Sequence, residues 1–290
     1  MKILLIGKNG QIGREILKLG SKKNTVVALS KKELDITNWK STREVITEVG
    51  PEVVINGSGY HVVSDCENFP DKAFELNTFA LKNLSDICAE RKITVVNFST
   101  DKVFDGKKNK PYKEKDEANP LQVYGMSKLA GEIVAHSYCD KAITIRTCGV
   151  YGGLEGSRAK KGNFVLMIIN ESKNKKSLEI SSEQFASFIN AEDLARITLE
   201  LLSKKVDSGI YHVVNEGYAS WAEFGDTITK IANLPLTVVP KDRLGSFSSV
   251  KIPLFAGLDV SKIKSIGIKV KPWQDGLKEY ISFLRSQNVL

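Results

Sequence analysis

Hydrophobic residues in this chain fall into short unbroken runs, separated by longer segments in which they recur at helical spacing. The runs "KILLI" 2–6, "TVVAL" 25–29, "EVVIN" 52–56, "ITVVNFS" 93–99 and "AITIR" 142–146 are β-branched or leucine-rich. Their length and composition predict buried strands. Between them, residues 11–20, 38–48, 70–90 and 121–138 carry amphipathic patterns, several opening at a cap such as Thr37 or Asn38 or just after a proline. Strand–helix alternation of this kind predicts an α/β fold: a doubly wound parallel sheet with helices on both faces.

Beyond about residue 147 the pattern loosens. "GGLEGSRAKKGN" 152–163 reads as a long glycine- and lysine-rich loop, a candidate active-site flap. Helical patterns near 190–203, 220–232 and 272–286 alternate with the short strands "SLEIS" 177–181, "GIYHVV" 209–214 and "LTVV" 236–239. The expected organisation is a dinucleotide-binding Rossmann domain over 1–146, to which 182–212 returns. A smaller α/β substrate-binding lobe is expected from 147–181 and 213–290. No internal repeat is visible.

Composition changes this picture little. The 290 residues are 42% hydrophobic and 26% charged, the balance of a globular protein. The formal charge is +8, which raises nucleic acid as a partner. The lysines, however, lie in short clusters such as "KKNK" 107–110 and "KNKK" 173–176 without aromatic interleaving. They read as solvated loops, and the positive field suits a small anionic ligand such as a nucleotide. Neither nucleic acid nor membrane is expected as a partner. Cys66, Cys88, Cys139 and Cys148 lack C-x-x-C spacing, and His61, His136 and His212 lie far apart. No disulfide framework or zinc site is predicted. The N-terminal run is too short for a secretory signal and no stretch is long enough to span a bilayer, so a cytoplasmic protein is expected.

Chemistry enters at the first strand–helix junction. "LLIGKNGQIGREI" sets Gly7, Gly10 and Gly13 in G-x-x-G-x-x-G spacing. Such a loop makes a tight turn, lets backbone approach a pyrophosphate, and packs the helix closely on the strand. The phosphates would meet N–H groups at a helix N-terminus. After the second strand come Ser30, Lys31 and Lys32. An acidic residue there would meet a ribose 2′-hydroxyl, whereas cations meet a 2′-phosphate. The absence of a carboxylate at the strand end predicts NADPH ahead of NADH. Asp35 and Ile36 follow, placed to approach the adenine.

The fourth strand runs into "NFSTDKVFDG", which puts Ser99, Thr100 and Asp101 at a strand's carboxyl end, where open α/β sheets bind ligands. Tyr124 and Lys128 follow in "VYGMSK", four apart on one helical face. Together these groups can work on a carbonyl. Thr100 would hydrogen-bond the carbonyl oxygen, and Tyr124 would supply the proton. Lys128 would lower the phenol's pKa and hold the nicotinamide ribose.

These residues resemble the extended short-chain dehydrogenase/reductases and, among them, the dTDP-4-dehydrorhamnose reductases. The resemblance rests on "GKNGQIG", "LDIT", "PEVVING", "AFELNTFALKNLSDIC", "STDKVFDG", "PYKEKDEANPLQVYGMSKLAGE", "GNFV", "NAEDLA", "GIYHVVNEG" and "GLDVSKI", spread over most of the chain. It implies NADPH-dependent reduction of a nucleotide-linked 4-keto-6-deoxy sugar, in dTDP-rhamnose and polysaccharide biosynthesis. Thr100, Tyr124 and Lys128 take the catalytic positions. Gly7, Gly10, Gln11, Ile12, Gly13, Ser30, Lys31, Asp35 and Ile36 line the cofactor, and His61, Asp101, Val103 and Asn163 are substrate-contact candidates. NADH is a possible substitute for NADPH.

The chain departs from that family mainly on the substrate side. Lys102 stands where a tyrosine is usual, and Gly149 where a tryptophan is expected. "NGSGYHVVSDCE" 56–67, "EQFASFI" 183–189 and "KIPLFAG" 251–257 also differ from the family pattern. A 4,6-dehydratase or 4-epimerase is a sibling reading. Dehydratases of this fold place a glutamate after the Thr-Asp pair, and here the residue is Lys102. A rival of another class is a non-catalytic NADP-binding regulatory subunit resembling the methionine adenosyltransferase β-subunit, which would not need the intact Thr100, Tyr124 and Lys128. Cys148 reads as packing rather than a nucleophile. Glu15 with Glu192 or Asp193 could build an inter-subunit Mg²⁺ site, as the resemblance to some relatives implies, and a homodimer is a reasonable expectation.

Overall fold

The computed structural model describes residues 1–155, 162–242 and 250–290. Six strands form the central sheet: β1 (Lys2–Ile6), β2 (Thr25–Leu29), β3 (Val53–Asn56), β4 (Thr94–Thr100), β5 (Ala142–Thr147) and β6 (Gly209–His212). Their order is β6-β5-β4-β3-β1-β2, and every pairing is parallel. The predicted doubly wound sheet is thus present, with β6 at the edge beside β5.

Strand apolarity explains the layering. On β1, Ile3 and Leu5 share a core with Ile16 of α1 (Gln11–Gly20) and with Leu194, Ile197 and Leu201 of a helix at Ala191–Ser203. Leu4 and Ile6 point the other way, toward Ile46 of α2 (Trp39–Val49) and Leu81, Leu84 and Ile87 of α3 (Ala80–Glu90). After the exposed Lys2, these four consecutive β1 side chains are each at most 1% exposed, so the strand runs apolar rather than alternating. Truncating any one of them to alanine would cost about 2–5 kcal/mol.

Local signals set the helix ends. Asn38 caps α2 by accepting from the Ser41 N–H at 3.1 Å, and Gly50 ends it in the left-handed region at φ 54°. Residues 70–90 are not one helix. A short helix, Pro70–Phe74, runs into a π-helical turn at Glu75–Phe79 before α3 begins. That turn packs against Gly131 of α4 (Val123–Tyr138), where a Cβ would lie 2.3 Å from the Asn77 carbonyl oxygen.

The second part of the chain gathers α5 (Phe164–Glu171), α6 (Ala191–Ser203), α7 (Trp221–Ala232) and α8 (Trp273–Ser286). Ser177–Ser181 pairs in parallel with Thr237–Lys241. Phe188 and Phe224 stack with centroids 3.8 Å apart, among Trp221, Trp273 and Tyr151. The predicted strand 209–214 joins the large sheet as β6 over Gly209–His212, and α6 packs on α1. Residues 156–161 of the expected flap lie outside the described residues. No helix among the described residues is long and apolar enough to cross a membrane.

Candidate active site

The glycine loop links β1 to α1. Gly7 has φ +87°, and a Cβ on Gly13 would lie 2.3 Å from the Gly7 carbonyl oxygen, so this crossing of helix and strand requires glycine. Gly10 is the extended N-cap residue of α1 and offers no side-chain cap. The first N–H groups of α1 are therefore open to an anion. Gln11 and Ile12 form the first turn, and Gln11 Oε1 is buried with no hydrogen-bond partner among the described residues. A pyrophosphate-bearing dinucleotide fits this cradle.

At the end of β2, Ser30 is buried while Lys31 is exposed and pairs with Asp35 at 3.5 Å. Asp35 also accepts from Thr37, and Ile36 is buried in the core. The sequence reading found no carboxylate here, but folding supplies one. Glu33 accepts from the Ser30 N–H at 2.8 Å and its hydroxyl at 2.6 Å, and pairs with Lys8 of the glycine loop at 2.7 Å. The Lys8 hydrogen bond, then those from Ser30, lower the Glu33 carboxyl to about 2. The S-x-x-E spacing of a capping box was the available signal.

On the other side of the sheet's carboxyl edge, α4 carries Tyr124 and Lys128 one turn apart. The helix sits close because a Cβ on Gly125 would lie 2.1 Å from the Lys102 carbonyl oxygen. That contact seats the start of α4 on the turn Asp101–Val103, which follows Thr100 at the end of β4. Tyr124 lies in hydrogen-bonding reach of Thr100. Thr100 in turn donates its hydroxyl to Asp101 at 2.9 Å and accepts from the Lys102 N–H at 3.2 Å. Asp101 is 2% exposed; Cys148 Sγ donates to it at 2.7 Å and Lys102 Nζ lies 3.8 Å away.

Burial dominates the electrostatics. It pushes the Tyr124 phenol well above its ordinary value, with the Thr100 hydrogen bond pulling down and Asp101 adding to the rise. Burial also lowers Lys128 to about 8, against the opposing pull of Glu132. Burial therefore outweighs the lowering of the phenol expected from Lys128. Desolvation of both groups outweighs their mutual effect. A raised phenol remains fully protonated and can act as a proton donor.

Lys128 is 5% exposed and its Nζ has no hydrogen-bond partner among the described residues, which leaves it able to take ribose hydroxyls. The loop after β3 approaches it: a Cβ on Gly59 would lie 4.0 Å from Lys128 Nζ. Asn77, in the π-helical turn, holds that loop through the Tyr60 N–H and carbonyl, both at 2.9 Å, and donates to Ser127 Oγ at 3.0 Å. Sequence reading missed Asn77; a helix broken at a functional edge is visible only once the two helices pack.

The substrate-contact candidates are placed unequally. Asp101 lies beside Thr100, and His61 is half-buried with Nδ1 3.2 Å from the Gly59 carbonyl oxygen. Val103 is fully buried in the core, so its side chain is taken up by packing. Asn163 caps α5, accepting from the Leu166 N–H at 3.0 Å and donating to Tyr280 at 3.1 Å. For the Mg²⁺ reading, Lys18 lies 3.5 Å from Glu15 and 3.7 Å from Glu192, while Asp193 pairs with Arg196 and Lys271. Lysine and arginine thus neutralise those carboxylates within the chain.

Three of the sequence departures meet in space. Gly149 has φ +53°, and a Cβ there would lie 2.6 Å from the Ser187 carbonyl oxygen, inside the "EQFASFI" segment. Phe185–Ala186 of that segment pairs with Phe255–Ala256, from "KIPLFAG". A large residue at 149 and the 183–189 loop as it stands here would exclude each other.

Comparison with known proteins accords with this geometry. The model of the family described as "RmlD substrate binding domain" matches residues 1–286. A dTDP-4-dehydrorhamnose reductase from Aggregatibacter actinomycetemcomitans is 31% identical, with 96% of this chain and 97% of the relative covered. A crystal structure of a dTDP-4-dehydrorhamnose reductase from Clostridium acetobutylicum superposes with TM-score 0.92 at 33% identity, covering 98% of this chain and 100% of that one. One from Bacillus anthracis, solved in complex with NADP, gives 0.91 at 27% identity, covering 97% and 99%. The chain belongs to the RmlD substrate binding domain family, an extended short-chain dehydrogenase/reductase group that includes the dTDP-4-dehydrorhamnose reductases.

Proposed function

We propose that this chain is an NADPH-dependent oxidoreductase that reduces the C4 carbonyl of dTDP-4-dehydrorhamnose to give dTDP-rhamnose, with NADH a possible substitute. The observation that carries the reading is the meeting of Thr100, Tyr124 and Lys128 at the sheet's carboxyl edge, on the edge that also bears the glycine loop. Family membership and the reductases at about 30% identity support it over the regulatory-subunit and dehydratase readings. NADP in the Bacillus anthracis relative supports the cofactor.

With its pyrophosphate held at the glycine loop, the dinucleotide would supply the hydride from its dihydronicotinamide ring. Tyr124 gives its phenolic proton to the carbonyl oxygen, for which a high pKa keeps it loaded. The Thr100 hydroxyl, which donates to Asp101, turns to the same oxygen and steadies the charge that develops there. Lys128 orients the ribose and stabilises the phenolate left after proton transfer. Residues 1–146 with 182–212 would form the dinucleotide domain, and 147–181 with 213–290 the sugar-binding lobe. The joined departures at Gly149, 183–189 and 251–257 would shape that lobe. A cytoplasmic location and a homodimer complete the proposal.

The test is loss of NADPH absorbance on adding dTDP-4-dehydrorhamnose, with dTDP-rhamnose identified as product. Tyr124→Phe should retain the fold and NADPH binding while turnover falls by roughly 10²–10⁴. Parent-rate turnover by that variant would sink the reading.

A further inference from the structure

Lys8, Ser30 and Glu33 converge where β1 and β2 end. Glu33 Oε2 accepts from the Ser30 N–H at 2.8 Å and from its hydroxyl at 2.6 Å. Lys8 Nζ lies 2.7 Å from the same oxygen and 2.9 Å from Oε1. Lys8 belongs to the glycine loop, and Ser30 is the first residue beyond β2. In dinucleotide folds this corner meets the 2′ position of the adenosine ribose. A carboxylate there suits a 2′-hydroxyl, while cations and N–H or O–H donors suit a 2′-phosphate. Here both sets are present, and each satisfies the other.

The neighbouring lysines are differently placed. Lys31 is turned to Asp35, and its side chain is 82% exposed. Lys32 is exposed and has no ion pair among the described residues. The cation within reach of the corner is therefore Lys8, held by Glu33.

We propose that Glu33 is an internal competitor for the 2′-phosphate and sets the balance between the two nicotinamide dinucleotides. Its carboxylate occupies the donor ring of Lys8 and Ser30. A dinucleotide with a free 2′-hydroxyl binds with Glu33 in place, since the carboxylate can accept that hydroxyl. A 2′-phosphorylated one binds when Glu33 swings away and the phosphate takes its three donors. Both anions cannot share the ring, because like charges at hydrogen-bonding distances repel and compete for the same N–H and O–H groups. Glu33 lies at the surface, so its departure leaves no buried charge behind. The outcome is use of both dinucleotides rather than strict selection of one. This rests on reading the glycine loop as a dinucleotide site.

The test is titration of the full chain with NADPH and with NADH, followed by nicotinamide fluorescence, for the parent, Glu33→Gln and Lys8→Gln. Thermal unfolding without ligand checks that each variant is folded. Glu33→Gln keeps the shape but removes the competing charge, so NADPH should tighten by about tenfold, the effect of one charge-assisted hydrogen bond, relative to NADH. Lys8→Gln should weaken NADPH by a similar factor and change NADH little. An unchanged NADPH-to-NADH ratio in Glu33→Gln, or equal losses for both dinucleotides in Lys8→Gln, would reduce Glu33 to a turn cap and overturn the proposal. A parent protein that binds neither dinucleotide would instead overturn the site reading beneath it.

Discussion

Glu132, one helical turn beyond Lys128 on α4, grips Arg146 of β5 with both carboxylate oxygens, Oε1 at 2.9 Å from Nε and Oε2 at 2.6 Å from Nη2. The two side chains are 2% and 3% exposed, and Ser99 of β4 also donates to Glu132. Arg146 lies over the Phe104 ring at 5.0 Å. One carboxylate thus ties the catalytic helix to two central strands. Glu132→Gln leaves the arginine buried without its counter-charge and should cost roughly 3–5 kcal/mol. Glu132→Gln with Arg146→Met removes both charges and should recover part of that loss. Urea unfolding midpoints of the parent and the two variants check this; a single variant as stable as the parent would show that the pair holds nothing.

Lys128 connects that frame to the chemistry. Burial lowers it to about 8, so its ammonium is lost as pH rises through that value, well below the ordinary lysine range. Dinucleotide binding that depends on the ammonium should weaken above about pH 8 in the protein without substrate. Bound ligand that favours the charged form should move this limb upward. Lys128→Met should bind weakly at all pH values and show no such limb. Titrations of NADPH from pH 6.5 to 9.5 decide the matter, and an identical limb in Lys128→Met would assign it to another group.

What the sequence makes legible here is local. The apolar runs mark β1 to β5 because a strand buried on both faces needs no alternation, and the glycine spacing marks the first turn because only glycine passes at Gly7 and Gly13. Tyr124 and Lys128 read as partners because helical spacing alone sets them on one face. Long-range relations are less visible. Glu33 finds Lys8 across 25 positions, and no pattern within either segment announces it. The return of 182–212 toward the first domain is expected, but that β6 lies at the edge beside β5 is decided by packing. Val103 stands next to functional residues in sequence and Asn163 closes the expected flap, yet one side chain fills the core and the other caps a helix. Neighbourhood along the chain does not fix where a side chain points.

His212 shows a cost hidden in the core. It is fully buried, and neither ring nitrogen has a well-formed hydrogen bond among the described residues. Burial and the adjacent Arg146 push its pKa down to about 3, which the backbone of Tyr112 and Asp259 and the charge of Asp259 only partly oppose. The unfolded chain takes up this proton as pH falls through about 6.5, whereas the native state does so only near 3. Stability should therefore be lost on acidification across that window, by about 1.4 kcal/mol per pH unit. His212→Phe keeps an aromatic ring against Phe104 and removes the proton. Its denaturation midpoint should fall less steeply between pH 6 and 4; equal slopes for parent and variant would exclude His212 as the source.

Gly125 controls how closely α4 meets the turn that presents Thr100. A Cβ there would lie 2.1 Å from the Lys102 carbonyl oxygen and 2.8 Å from Gln122 Oε1. The first is backbone and cannot rotate aside, so Gly125→Ala must move the helix start, the turn, or both. Alanine is otherwise the better helix former by about 1 kcal/mol, and in a free helix the change would stabilise. The clash should outweigh that gain and give a net loss of stability of about 1–3 kcal/mol. Tyr124 precedes Gly125 on the displaced turn, whereas Lys128 sits a turn deeper, backed by Glu132. Turnover should then fall by about 10² while NADPH affinity stays within a few-fold, because misplacing the donor by an ångström costs rate before it costs binding. Stopped-flow reduction and equilibrium titration on the same preparation separate the two. A Gly125→Ala protein that turns over at the parent rate would show that the contact is slack and that Tyr124 does not depend on it.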